Sequence, residues 1–163
     1  LLDEFARACE KNNKLILKIA GQGPLENFLQ QKVAQLNLTK NIYFLGWKSQ
    51  TEIDALYQEC CAVIFPNVGL EAFGLVMTEA MSHARAVIGS KRGTTAWLVD
   101  HQKTGLLVNI LNKNELSEAI STLAENPILA EQYGHQGHEK LYEFPNDAEL
   151  TNKICELYRK LSR

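Results

Sequence analysis

The sequence is short of most features that would place it quickly. Its four cysteines, two of them adjacent at Cys60 and Cys61, make neither a disulfide framework nor a zinc-ligand spacing, so a reduced compartment is the expectation. No apolar run exceeds a few residues; Leu15 to Ala20 and Cys60 to Pro66 are the longest, far short of the roughly 20 a membrane helix needs. Neither charge sign dominates: 17 Lys and Arg stand against 19 Asp and Glu, a formal charge of -2, which argues against a general nucleic-acid binder. Repeats and low-complexity segments are missing, and 45% hydrophobic with 22% charged residues excludes disorder. An initiating Met and a signal peptide are also lacking. The chain opens at Leu1 in what reads as a helix, and the expectation is a piece of a longer protein.

What is present is a regular alternation over 163 residues, near the usual size of one domain. Short apolar runs at Leu15 to Ala20, Ile42 to Leu45, Ala62 to Pro66, Ala86 to Ile88 and Gly105 to Val108 read as strands. Most are continuous rather than alternating, as in a parallel sheet buried on both faces. They begin about 20 to 27 residues apart, the length of a strand, a crossover helix and two loops.

The intervening stretches carry helical stripes. Leu25 to Leu36 aligns Phe28, Leu29, Val33 and Leu36, while Thr51 to Tyr57 offers Ile53, Leu56 and Tyr57 behind a Ser49 or Thr51 cap. Glu71 to Met81 is a further helix. After Val108 the chain turns helical, with segments from about Asn114 to Leu123, Leu129 to Leu141 and Ala148 to Leu161. The expectation is an α/β, Rossmann-like, doubly wound parallel sheet with flanking helices and C-terminal helices. Such a sheet usually carries its first strand in the middle. Leu1 to Lys11 reads as the helix after that strand, so two edges should lack a partner unless a preceding segment supplies one.

The stretch from Phe65 to Val108 holds the chemistry. A strand ends at Pro66, a loop follows, and a helix is expected to open near Phe73 or Gly74. Ligands of open α/β sheets bind at the carboxyl ends of strands. Free N–H groups at Phe73, Gly74 and Leu75 would favour phosphate, and Gly74 would let the backbone approach it. Glu79 is expected about two turns in, roughly 8 Å along the axis, with Glu71 just before the helix. Carboxylates are good acceptors for sugar hydroxyls. Two of them flanking an anion site suit a pyrophosphate between two polyols, the shape of a nucleotide sugar.

Glu71 and Glu79 form an E-x7-E motif inside Pro66-x4-Glu71-x-Phe73-Gly74-x4-Glu79-Ala80-Met81. This string resembles the group one (family four) retaining glycosyltransferases of GT-B fold. The resemblance also takes in Ile19-Ala20-Gly21-Gln22-Gly23-Pro24, Phe44-Leu45-Gly46-Trp47 and the C-terminal Ile154 to Tyr158 helix.

The resemblance implies that residues 1–163 are the nucleotide-sugar-binding C-terminal half of a GT-B enzyme, its first strand and N-terminal acceptor domain lying outside the chain. Glu71 would be the catalytic residue, holding donor-sugar hydroxyls, and Glu79 would bind the ribose. Phe73, Gly74 and Leu75 would offer amides to the sugar and pyrophosphate, Gly46 and Trp47 would bracket the base, and Gly21 and Gly23 would line the cleft. Arg92 and Gly93 open the donor loop that is usually Gly-Gly-x-Pro-Glu; here it reads Arg92-Gly93-Thr94-Thr95-Ala96-Trp97, with no acid at 96 or 97. Lys91 and Arg92 are candidates for cations at the phosphates. Ala84 and Ala86 replace the usual Gly and Pro before the fourth strand, and Asn67 stands where Ser is frequent.

The implied reaction is metal-independent and needs no cofactor. A hexosyl group passes with retention to a glycan or lipid-linked acceptor in surface polysaccharide or glycolipid synthesis. UDP-sugar is the leading donor, GDP- and ADP-sugars stay open, and nucleic acid is not a partner. The implied setting is cytoplasmic, with a place at the inner face of the membrane as a variant. An inactive nucleotide-sugar-binding module is the alternative. His83 reads as an exposed helix-end residue, His135 and His138 as non-ligands, Cys60 and Cys61 as core, and Trp97 as packing.

Overall fold

A computed structural model describes residues 1–69 and 73–161. Among them five strands, β1 (Leu17–Ala20), β2 (Ile42–Gly46), β3 (Ala62–Phe65), β4 (Ala86–Ser90) and β5 (Gly105–Val108), alternate with helices α1 (Leu2–Lys11), α2 (Glu26–Gln35), α3 (Gln50–Glu59), α4 (Leu75–Ser82) and α5 (Thr94–Leu98). Three more helices follow: α6 (Glu115–Glu125), α7 (Pro127–Leu141) and α8 (Asp147–Leu161).

Every pairing between strands is parallel. β1 pairs β2 in one sheet, and β3, β4 and β5 lie side by side in a second. Among the described residues β1 and β3 therefore each keep one edge without a strand partner. This split corrects the expectation that the strands are buried on both faces. Only β4 is buried along its whole length, while β1 alternates half-buried and exposed and β3 is half-buried throughout. A strand flanked on two sides loses its edge to water, and β4 is flanked by β3 and β5.

Successive side chains of a strand point to opposite faces, and here they feed two separate cores. Ala86 and Ile88 of β4, with Leu106 and Val108 of β5, join α1, α6 and α7 in the larger core. Val87 of β4 faces the other way, with Tyr57 of α3, Met77, Ala80 and Met81 of α4 and Leu98 of α5, and Leu107 packs against that group. Helices thus cover both faces of the three-stranded sheet. One tight approach fixes α7: a Cβ at Gly134 would sit 2.0 Å from the Ala84 carbonyl oxygen.

Local chemistry marks the start of one helix clearly. Ser49 caps α3 in a capping box, its hydroxyl accepting from Glu52 N–H while the Glu52 carboxylate accepts from Ser49 N–H at 2.9 Å. Asn114 precedes α6 at φ 74°, and its side chain makes no capping hydrogen bond. The helix α5 was not foreseen, since five residues are too few to show a helical stripe. α8 buries no residue, leaving Leu150, Ile154 and Leu157 exposed. No helix among the described residues is long and apolar enough to cross a membrane.

Candidate active site

The described residues of the expected site gather near the ends of strands. At the carboxyl ends of β1 and β2, Gly21 N–H donates to the Gly46 carbonyl at 2.8 Å, joining two turns that lie apart in sequence. Gly46 has φ 65°, a left-handed conformation that glycine adopts without strain. Trp47 follows it and is 72% exposed, while the turn after β1 runs on through Gly23, whose carbonyl accepts from Glu26 N–H.

At the end of β3 the helix α4 begins at Leu75, just after the Phe73 or Gly74 expected from the sequence. Phe73 and Gly74 therefore precede it, and Gly74, at φ 77° and ψ 59°, is its N-cap. An L side chain is strained in that conformation, so glycine sets the angle at which the chain enters the helix. The first-turn amides of Leu75 and Val76 have no acceptor within the helix, which favours an anion there. Glu79 is four residues into α4, roughly 6 Å along the axis rather than two turns. Glu71, the expected catalytic carboxylate, lies outside the described residues.

The carboxylate of Glu79 is held from below. Tyr57 of α3, buried at 7% exposure, donates its hydroxyl to Glu79 Oε2 at 3.1 Å and also lies 3.4 Å from the Val76 carbonyl oxygen. Burial, and then the neighbouring Glu79 charge, push the Tyr57 phenol far above its ordinary ionisation range. The Tyr57 ring stacks on the His83 imidazole, centroids 4.8 Å apart. His83 Nε2 lies 3.4 Å from Asp54 Oδ1 and its Nδ1 2.9 Å from the Glu79 carbonyl oxygen. His83 is thus half-buried in a cluster, a correction to its reading as an exposed residue. The helical stripe had marked Tyr57 only as core; nothing in a stripe tells which acid its hydroxyl will meet.

On the other side of α4 the β4–α5 segment approaches. Gly93, at φ 63° and ψ -149°, is the N-cap of α5, and the exposed Arg92 precedes it. Trp97 lies 6.5 Å from the Phe73 ring and 5.3 Å from Phe144, centroid to centroid, and is 58% exposed. The segment that lacks the usual acid therefore presents an aromatic wall beside Phe73. Lys91, a candidate phosphate cation, points instead to Glu115 at 3.1 Å, and its own N–H donates to the Val108 carbonyl. Glu115 also accepts from Asn109 N–H at 2.7 Å, and these bonds, the Asn109 backbone first, pull its carboxyl down to about 2.

The remaining readings fare unevenly. Cys60 is half-buried with its thiol pushed up by burial, but Cys61 is exposed and not a core residue, because β3 starts only at Ala62. His135 faces Glu131 at 3.7 Å, and His138 meets the Tyr142 ring edge-on at 5.4 Å. Two shallow cavities, of about 230 and 370 Å³, are lined by α2 residues around Phe28 and by Arg7, Glu10, Lys11, Asn114, Ser117 and Glu118. Neither includes an expected site residue.

Known proteins resemble this chain in sequence and in fold. The model of the glycosyl transferases group 1 family matches residues 1–140. The chain is similar to D-rhamnosyltransferase WbpZ of Pseudomonas aeruginosa, 33% identical over 75% of this chain and 32% of that protein. It is also similar to O-antigen chain mannosyltransferase C of Escherichia coli, 27% identical over 93% of this chain and 41% of that one. Among solved structures, Anabaena HepE in complex with UDP superposes with a TM-score of 0.85, at 22% identity over 98% of this chain and 44% of that chain. The chain thus spans less than half the length of each of these relatives. The neighbours are GT-B glycosyltransferases, so the fold is a Rossmann-like half of that architecture. With the family model covering most of its length, the chain belongs to the group 1 glycosyltransferases.

Proposed function

We propose that this chain is the donor-binding half of a retaining glycosyltransferase. It would move a hexosyl group from a nucleotide sugar to a glycan or lipid-linked acceptor in surface polysaccharide or glycolipid synthesis. The observation that carries the reading is the meeting, on one short helix, of an anion-favouring N-terminus behind left-handed Gly74 and the held carboxylate of Glu79. UDP is the leading nucleotide, in keeping with the UDP bound to the structurally similar HepE. A strand contributed from outside the chain would sit against the open edges of β1 and β3, and the acceptor would come from a second lobe.

The diphosphate rests at the α4 N-terminus, where the dipole and the free amides offset its charge as the glycosidic bond breaks. Glu71 holds the sugar hydroxyls, Glu79 the ribose, and the transition state is oxocarbenium-like. Gly21, Gly23, Gly46 and Trp47 border the base, and Arg92 with Gly93 the phosphates. No metal takes part. The aromatic Trp97 at the place of the family's acid favours a second reading, a nucleotide-sugar-binding module without transfer activity.

Calorimetric titration of the chain with UDP, GDP and ADP, repeated on Glu79→Ala, tests the donor site. Selective binding of one nucleotide, weakened by the substitution, names the donor class. Equal binding by both proteins removes Glu79 from the site.

A further inference from the structure

The contact between Tyr57 and Glu79 is more than packing. A glutamate side chain without a fixed partner samples many rotamers, and a ligand that needs one of them must freeze the rest. Here the freezing is done by the fold. Tyr57 is buried, its ring is pinned face-on by His83, and His83 is placed by Asp54 one turn earlier in α3 and by the Glu79 backbone carbonyl. The phenol is therefore held in place, and of the two acceptors within its reach Glu79 Oε2, at 3.1 Å, is nearer than the Val76 carbonyl oxygen at 3.4 Å. One such bond leaves the carboxylate most of its lone pairs for other donors.

We propose that Tyr57 is a positioning residue for the nucleotide: its hydroxyl fixes the Glu79 carboxylate before the ligand arrives, so that two neighbouring ribose hydroxyls meet an acceptor already in place. The inference rests on the ribose role of Glu79 and adds the group that makes that role effective. Buried against a carboxylate, the phenol stays protonated and remains a donor throughout the neutral range. The contact with the Val76 carbonyl oxygen, at 3.4 Å, would serve a purely structural tether equally well, so the test must separate the two.

The test is calorimetry on the chain with whichever of UDP, GDP and ADP binds best and with the 2′,3′-dideoxy form of the same nucleotide. Wild type is expected to favour the ribose form by about tenfold or more, two hydroxyl–carboxylate bonds being at stake, and Glu79→Ala to erase that preference. Tyr57→Phe keeps the ring on His83 and removes only the hydroxyl. It should weaken the ribose nucleotide about threefold to tenfold and leave the dideoxy form unchanged, with thermal melts run alongside. Equal weakening of both forms by Tyr57→Phe, or no weakening at all, overturns the positioning role while Glu79 keeps its own. Wild type that does not distinguish the two forms overturns the ribose role of Glu79 and the positioning role with it. A chain that binds none of the three nucleotides overturns the donor-site reading as a whole.

Discussion

Gly89 at the end of β4 faces Thr95 of α5 with no room for another atom: a Cβ at Gly89 would stand 2.3 Å from Thr95 Cγ2. Thr95 is 2% exposed and β-branched, so it cannot swing aside. This contact sets how closely the segment carrying Gly93 and Trp97 lies over the sheet. Gly89→Ala is expected to cost about 1 to 3 kcal/mol by overpacking, read from denaturant unfolding. An unchanged midpoint would show that α5 yields freely.

Ala84 holds φ 52°, left-handed, in the turn from α4 to β4, at the position where the resemblance led us to expect Gly. The backbone strain of roughly 1 to 2 kcal/mol outweighs the extra chain entropy that glycine brings to the unfolded state, about 0.4 to 1 kcal/mol. Ala84→Gly should raise the melting temperature by about 1 to 4 °C in a differential scan. Gly134→Ala should act oppositely, since its Cβ would meet the Ala84 carbonyl oxygen, a backbone atom with nowhere to go.

The pH dependence has a defined sign. Glu115 and Glu52 each have a folded value of about 2 against an ordinary 4.5, lowered in Glu115 first by Asn109 N–H and in Glu52 first by Lys48. The unfolded chain therefore binds these protons more readily. Their contribution is complete above 4.5 and fades as pH falls through 2. Melting temperature plotted against pH should fall less steeply over that window in Glu115→Gln than in wild type. Parallel curves would mean that the bonds to Lys91 and Asn109 do not persist in solution.

The proposed transfer gives Glu71 the donor sugar. In the complete enzyme Glu71→Ala should lower kcat by at least about tenfold, the loss expected when a group binding the transition state is removed. Steady-state kinetics with the natural donor decide this, and unchanged kcat would take Glu71 out of the reaction.

Much of the fold was legible because burial has a local period. Five apolar runs marked β1 to β5, Ser49 was one of two cap candidates for α3, and the string from Pro66 to Met81 pointed to the family that the comparison of residues 1–140 shows. The start of α4 was read at Phe73 or Gly74 rather than at Leu75, because the left-handed turn at Gly74 leaves no mark in a hydrophobic pattern. The helix α5 escaped for its brevity, and the strands looked more buried than they are because an apolar run does not say whether a neighbour covers its edge.

The sequence by itself determined the five strands, the longer helices and the string that carries the carboxylates, since propensity, periodicity and motif are properties of neighbours along the chain. Tertiary structure alone decided the pairings across it. Gly21 meets Gly46, Lys91 turns to Glu115, Gly89 receives Thr95, and Tyr57 reaches Glu79 from 22 positions away. Those meetings depend on how each crossover helix lies against its sheet, a choice made by the packing of two cores at once.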